Sequence, residues 1–230
     1  MIVILCAMKL EAKPFMKALA NKKPVEPFGR RVYQGTIAGT EVVVARCGVG
    51  IQKAIAFTQT LLANLDVTQL IMSGTAGGVE AHLKIGDTVV SEELVFHDPV
   101  EDLLAKHNLA NCEMPLKADS TMLNLTKEAL TDKALHHAVY FGRISTGLKF
   151  ASPKYFDTIA ANDHPLCLDM ESTAVAQVCH ENHIPFIAVR SLSDSREKPG
   201  LTVFVRYASL ASYNAFLVVE ALLQKVKAFL

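Results

Sequence analysis

The sequence predicts an α/β protein: a single three-layer α/β/α domain built on a central, twisted, mixed β-sheet. Three observations lead there. Strand-like and helix-like patterns alternate along the chain. Several strand-like runs, "IVILC" and "QLIMSG" among them, are apolar at nearly every position, the pattern of strands buried on both faces. The chain has 230 residues and half of them are hydrophobic, enough to enclose one large core.

The elements follow in order. "IVILC" is the first strand and "EAKPFMKALA" a helix, in which Pro14 is acceptable only within the first turn. "RRVYQGTI" and "EVVVARC" flank "AGT", a hairpin that brings antiparallel pairing into the sheet. Ile51, Ala54, Ile55, Thr58, Leu61, Leu62 and Leu65 keep helical spacing. "QLIMSG" and "GDTVVSEELVF" are strands. The longest irregular stretch, "HDPVEDLLAKHNLANCEMPLKAD", leads to a helix near 119–132. "AVYFGRIST" is a strand, "PKYFDTIAA" a short helix opened by Pro153, and "PLCLDM" a strand running into a helix over 171–182. "PFIAVRSLS" and a long helix over 202–228 complete the chain. The sequence shows no repeat, linker or low-complexity segment.

Charge narrows the function classes. Lys plus Arg equal Asp plus Glu at 23 each, so there is no basic footprint for nucleic acid and no membrane-surface patch. The expected partner is a small molecule. Five cysteines are scattered through apolar runs without metal-ligand spacing, so they read as reduced core residues and the expected compartment is the cytoplasm. "MIVILCA" has no basic lead-in and reads as a strand rather than a signal peptide. The C-terminal apolar stretch is interrupted by Arg206, Asn214 and Glu220, which argues against a membrane span.

Four strand ends carry polar motifs: "AMKLE" (7–11), "SGTAGG" (73–78), "DME" (169–171) and "SLSD" (191–194). Each has an ordinary explanation. Glu11 and Glu171 stand in first helical turns, where the helix dipole favours a carboxylate by a few tenths to about one kcal/mol. Asp194 suits a turn, and Gly74, Gly77 and Gly78 suit sharp bends. Together they place three carboxylates beside a Gly-rich turn at the carboxyl ends of strands, where α/β folds gather ligands. That grouping suits general acid/base chemistry. No nucleophile elbow, Walker loop, H-E-x-x-H or dinucleotide fingerprint occurs, and no metal or cofactor is expected. "CGVG" (47–50) precedes a helix and is positioned to hold an anion. His136 and His137 read as surface helix residues.

"AMKLE", "GVG", "SGTAGGV", "LKIGDTVVSEE", "HD" at 97–98, "TGLKFAS", "DMESTAVAQVCH", "PFIAVRSLSD" and the F-x-x-Y segment from Phe204 occur in a recognisable order over nearly the whole chain. In this the chain resembles the purine nucleoside phosphorylase/nucleosidase superfamily, and within it the bacterial 5′-methylthioadenosine/S-adenosylhomocysteine nucleosidases. The resemblance implies a nucleoside phosphorylase-like fold, a homodimer, and hydrolysis of the N-glycosidic bond of 5′-modified adenosines. It gives Glu11 the role of activating water and Asp194 that of protonating purine N7. Glu171 and Met170 would bind the ribose, and Arg190 would orient Glu171. Phe150 would stack on the base, with the main chain around Ala151 reading its edge. Met8, Thr75, Ala76, Gly77, Ser193 and Phe204 would line the remaining walls.

The alternatives are a phosphorylase, a nucleosidase for another purine nucleoside, and a non-catalytic nucleoside-binding protein. Phosphorolytic relatives carry an arginine where this chain has Met72 and a phosphate loop where it has Glu11, so hydrolysis is the expected outcome. Arg46 beside "CGVG" leaves a phosphate site open. Asp169 replaces the glutamate usual in the family. Leu103, Leu104 and Met114 replace an aromatic-containing segment, and Lys149 has no counterpart role.

Overall fold

Alternate side chains of the first strand enter two different hydrophobic cores, and this sets the layering. The computed structural model describes residues 1–97, 114–131, 133–149, 156, 159–160 and 164–229. In β1 (Ile2–Cys6), Val3 and Leu5 face one side of the sheet while Ile2, Ile4 and Cys6 face the other. The period of two in a strand makes this division automatic, and burial on both faces explains why the run is continuously apolar.

On the first side lie α2 (Ile51–Asn64) and, from the later part of the chain, α4 (Ser172–Glu181). They contribute Ala54, Leu61, Val175 and Cys179 to that core. On the other side lie α1 (Lys9–Ala18), α3 (Ser120–Thr131) and α5 (Leu201–Phe229), contributing Phe15, Met122, Val218 and Leu222. By length and composition α5 is long and apolar enough to cross a membrane. Here Ala208, Ala211, Ala215, Val219 and Leu223 are buried in the protein, and Asn214 donates to the Gly86 carbonyl at 2.7 Å. The helix serves as a core helix of this fold.

The remaining strands are β2 (Ala20–Pro24), β3 (Val32–Ile37), β4 (Thr40–Arg46), β5 (Gln69–Gly78), β6 (Thr88–Phe96), β7 (Leu116–Lys117), β8 (Val139–Thr146), β9 (Cys167–Asp169) and β10 (Phe186–Ser195). The hairpin joining β3 to β4 turns through Ala38 and Gly39, both at positive φ, as a two-residue turn between twisted strands requires. β1 lies parallel between β4 and β5. β5 then pairs with two further strands, parallel with β10 and antiparallel with the short β9 at Gly77 and Gly78. With β10 paired to β6, β6 to β8 and β8 to β9, these five strands close a circuit. The mixed sheet is therefore partly rolled up at one end.

Pro14 lies in the second turn of α1, not the first. The turn survives because its neighbours hold: Ala12 N bonds Met8 O at 3.1 Å and Leu19 N bonds Phe15 O at 2.9 Å, while Phe15 packs edge-on against Phe216 of α5. His136 and His137 lie beyond α3, in the turn before β8, rather than on a helix. β2 and β7 have exposed or very short sequences with no alternation, so nothing local announces them.

Candidate active site

The carboxyl ends of β1, β5, β9 and β10 converge on a cavity of about 210 Å³. Met8, Glu11, Thr75, Ala76, Gly77, Met170, Glu171, Ser193, Asp194 and Phe204 all line it. Arg190 lies directly behind, fully buried. Phe150 and Ala151 lie outside the described residues. So do Asp98, Leu103, Leu104 and Cys112.

Glu11 enters from the first turn of α1. Its Oε2 accepts from the amides of Ala7 (3.0 Å) and Met8 (2.9 Å), which closes the helix start. Its Oε1 accepts from the amide (2.8 Å) and hydroxyl (2.9 Å) of Thr75. Four donors from two elements thus fix one carboxylate. Thr75 spends both of its donors on Glu11 and shapes the cavity through it. Gly74, beside Thr75, has no room for a side chain: a Cβ would run into Glu11 Oε1 and Arg190 Nη1.

Glu171 precedes α4. Its Oε1 accepts from the Gly50 amide at 2.8 Å, and its Oε2 lies 3.2 Å from Arg190 Nη2. "CGVG" does hold an anion at the start of α2, and the anion is the protein's own carboxylate. Gly50 sits at φ +103°, a conformation that suits glycine and lets its amide point at Glu171. Burial pushes the Glu171 pKa up to about 7, with Arg190 opposing and Asp169 and Glu11 adding to the rise.

Arg190 joins the cluster. Its Nε donates to Ser172 Oγ at 2.9 Å and lies 2.8 Å from Asp169 Oδ2. The latter is an ion contact rather than an aligned hydrogen bond, because Asp169 Oδ2 has no hydrogen-bond partner. Nη1 stands 3.9 Å from Glu11 Oε1 and likewise makes no hydrogen bond. Burial alone would lower the guanidinium pKa, but Asp169, Glu171 and Glu11 outweigh it and hold Arg190 charged.

Asp194 lines the cavity from the end of β10, paired with Gly77 of β5. Between Leu192 and Asp194 the register of β10 against β5 slips by one residue, a bulge that re-aims the side chain. Its Oδ1 accepts from Ser193 Oγ at 2.8 Å, and Oδ2 faces Gly77. Burial raises its pKa to about 6, the Ser193 bond opposing. Sequence reasoning passed over Ala7, Val49, Phe156, Leu168 and Leu201, which also line the cavity. Lys149 lines it too, as a cationic side chain among carboxylates.

A family model for the phosphorylase superfamily matches residues 1–224, and the chain belongs to that superfamily. It is 31% identical to the 5′-methylthioadenosine/S-adenosylhomocysteine nucleosidase of Psychromonas ingrahamii, over 97% of this chain and 98% of that one. Solved structures of the same type of nucleosidase superpose closely. The Streptococcus pneumoniae protein, with the transition-state inhibitor MT-ImmA, gives a TM-score of 0.89 at 27% identity, covering 98% of this chain and 99% of that one. The Colwellia psychrerythraea protein, in complex with adenine, gives 0.86 at 28% identity, covering 97% and 94%. Within the superfamily this chain groups with these nucleosidases.

The buried cluster yields a stability prediction. Arg190→Ala leaves three carboxylates facing one another without their cation and is expected to destabilise the protein by roughly 3–5 kcal/mol near pH 8. The Glu171 pKa is raised, so its contribution to stability is present at low pH and lost as pH rises through about 7. The variant's deficit should therefore shrink near pH 5. Urea unfolding at the two pH values checks this, and equal deficits would contradict it.

Proposed function

We propose that this protein hydrolyses the N-glycosidic bond of 5′-modified adenosines, methylthioadenosine and S-adenosylhomocysteine, to adenine and the 5-thio-substituted ribose. One observation carries the reading: Glu11, Glu171 and Asp194 line a single cavity. Breaking C1′–N9 sends the bonding electrons into the purine and leaves oxocarbenium-like charge on the ribose. Asp194 donates its proton to N7, so adenine leaves as the neutral base. The ionised Glu171 accepts from the ribose hydroxyls and stabilises the positive charge. Water adds to C1′ and passes a proton to Glu11, whose fixed orientation aims the water. Met170, Met8 and Phe204 supply apolar contact for the sugar and the thioether.

Hydrolysis is favoured over phosphorolysis by the charge of the lining. Met72, at the position where an arginine would meet phosphate, is fully buried in the core. The start of α2, the other anion-binding position, is taken by Glu171. Phosphate entering here would meet Glu11, Asp169 and Glu171.

With methylthioadenosine as substrate, free adenine and methylthioribose are expected at the same rate with or without inorganic phosphate. A sugar 1-phosphate product would refute the mechanism. Asp194→Asn is expected to lower kcat by about 10²–10⁴-fold, while adenine still raises the melting temperature.

The pH dependence follows from the two raised carboxyls. Activity requires Glu171 ionised, so it rises through about pH 7, and Asp194 protonated, so it falls above about pH 6. Because the acid's pKa lies below that of the ionised partner, only a minority form is productive. A narrow bell in kcat/KM, peaking between those values, is expected. A plateau from about pH 5 to 8 would contradict it.

The mouth of the cavity exposes Val49 at 43% and Leu201 at 67%, and Leu148 beside it at 45%. A second copy of the chain, in a homodimer, would cover this apolar rim. Sedimentation equilibrium is expected to give twice the chain mass, and a monomer at micromolar concentration would contradict the dimer.

A further inference from the structure

We propose that Asp169 is a positioning residue for this reaction: through Arg190 and through the first amides of α4, it holds the Glu171 carboxylate in place at the cavity. The inference rests on the ribose-binding role proposed for Glu171. Asp169 is the last residue of β9, and its side chain reaches both things that determine where Glu171 stands. Oδ1 accepts from the amides of Glu171 (3.2 Å) and Ser172 (3.1 Å), fixing the backbone at the start of α4. These are helix-start amides that have no partner within the helix itself. Oδ2 lies 2.8 Å from Arg190 Nε, and the same guanidinium, through Nη2, meets Glu171 Oε2. One carboxylate therefore governs both the main chain of Glu171 and the cation that its side chain pairs with.

The base side of the cavity is tied to the same group. Thr146 Oγ1 donates to Asp169 Oδ1 at 2.6 Å and accepts from the Thr173 amide at 2.9 Å. The next amide along, Gly147 N, donates to the Asp169 carbonyl at 3.0 Å. Thr146 ends β8, and Lys149, three residues on, lines the cavity. Asp169 thus links the base-side segment to the ribose-side helix.

Asparagine could keep the Oδ1 acceptor, but its amide nitrogen would then confront Arg190 Nε, donor against donor. Glutamate keeps the charge. The charged and titratable groups around Glu171 are Arg190 of β10, Asp169 of β9, Glu11 of α1 and the Cys47 thiol after β4, together with the Gly50 amide at the start of α2. Removing the Asp169 charge takes away one group that disfavours the Glu171 carboxylate and frees Arg190 to pair with it. The maximum of the kcat/KM bell, midway between the two carboxyl pKa values, should then move to lower pH.

The test is kcat/KM against pH, with methylthioadenosine, for the wild type, Asp169→Asn and Asp169→Glu. Asp169→Asn is expected to lower kcat/KM by roughly 10–100-fold and to shift the pH of the maximum downward. Asp169→Glu is expected to recover most of the activity and return the maximum toward its wild-type position. If folded Asp169→Asn keeps both the rate and the maximum of the wild type, the proposal is overturned. If Asp169→Asn does not fold, Thr146→Val decides: it removes a donor to Oδ1 and leaves the charge, so kcat/KM should fall with the maximum unmoved. Wild-type behaviour in Thr146→Val would also overturn the proposal. Should the wild type itself leave methylthioadenosine uncleaved, the nucleosidase reading fails, and thermal unfolding against pH takes over. The stability lost as pH rises to about 7 in the wild type should be lost by a lower pH in Asp169→Asn or, if that variant is not folded, at an unchanged pH in a destabilised Thr146→Val; curves that coincide with the wild type would overturn the positioning role by itself.

Discussion

A fully buried guanidinium facing three carboxylates is the interaction on which the rest of the structure depends. Removing Arg190 from water costs several kcal/mol, and each buried carboxylate carries a comparable penalty. These charges are tolerable only as a set, with further hydrogen bonds supplied by neighbours such as Ser172, Thr75 and Gly50. The members come from β10, α1, β9 and the start of α4. The cluster is therefore complete only when the sheet has closed and the helices have docked on it. Forming the site and finishing the fold are one event. The register that sets Arg190 opposite Gly74 leaves space for this, since any side chain at Gly74 would enter the cluster.

Two carboxyls of the same intrinsic chemistry are placed in different surroundings. Glu171 sits among charges, and its position reflects a contest between desolvation, one cation and two other acids. Asp194 sits at the end of β10 with Ser193 as its hydrogen-bonding neighbour, and burial alone accounts for its upward shift. A group raised by desolvation rises further as a ligand excludes water. A purine closing over Asp194 would thus strengthen its hold on the proton it is proposed to donate. Glu11, held by four donors, is fixed in orientation, which suits the water-aiming role proposed for it.

The start of α2 shows how one device can be turned to a different end. A glycine-rich turn opening a helix is a ready anion site, and many proteins give it to phosphate. Here the Gly50 amide receives Glu171 instead, so the helix end orients a carboxylate that lines the cavity. The same atoms that read as an anion site then disfavour a second anion from solution.

Much of this was legible in the linear chain. Continuous apolar runs marked β1 and β5, helical spacing marked α2, and the polar residues at strand ends marked Glu11, Glu171 and Asp194, because burial on both faces leaves only the ends for polar chemistry. The Ala38–Gly39 hairpin was equally local. Other features had no local signature. Asp194 points into the cavity because of a bulge in β10, and a bulge is defined by pairing with β5, not by the residues of β10 alone. "CGVG" announced an anion, but only the packing of α4 beside α2 supplies Glu171 as that anion. Asp169 read as a shortened version of a familiar glutamate. Its reach to Arg190, Thr146 and the first amides of α4 depends on β8, β9 and β10 being brought together. By itself the sequence determined which segments are strands and helices and which residues carry charge, since periodicity and side-chain chemistry are local. Tertiary structure alone decided which charges meet and how far their proton affinities move, because both depend on distance and on water exclusion between residues far apart in the chain.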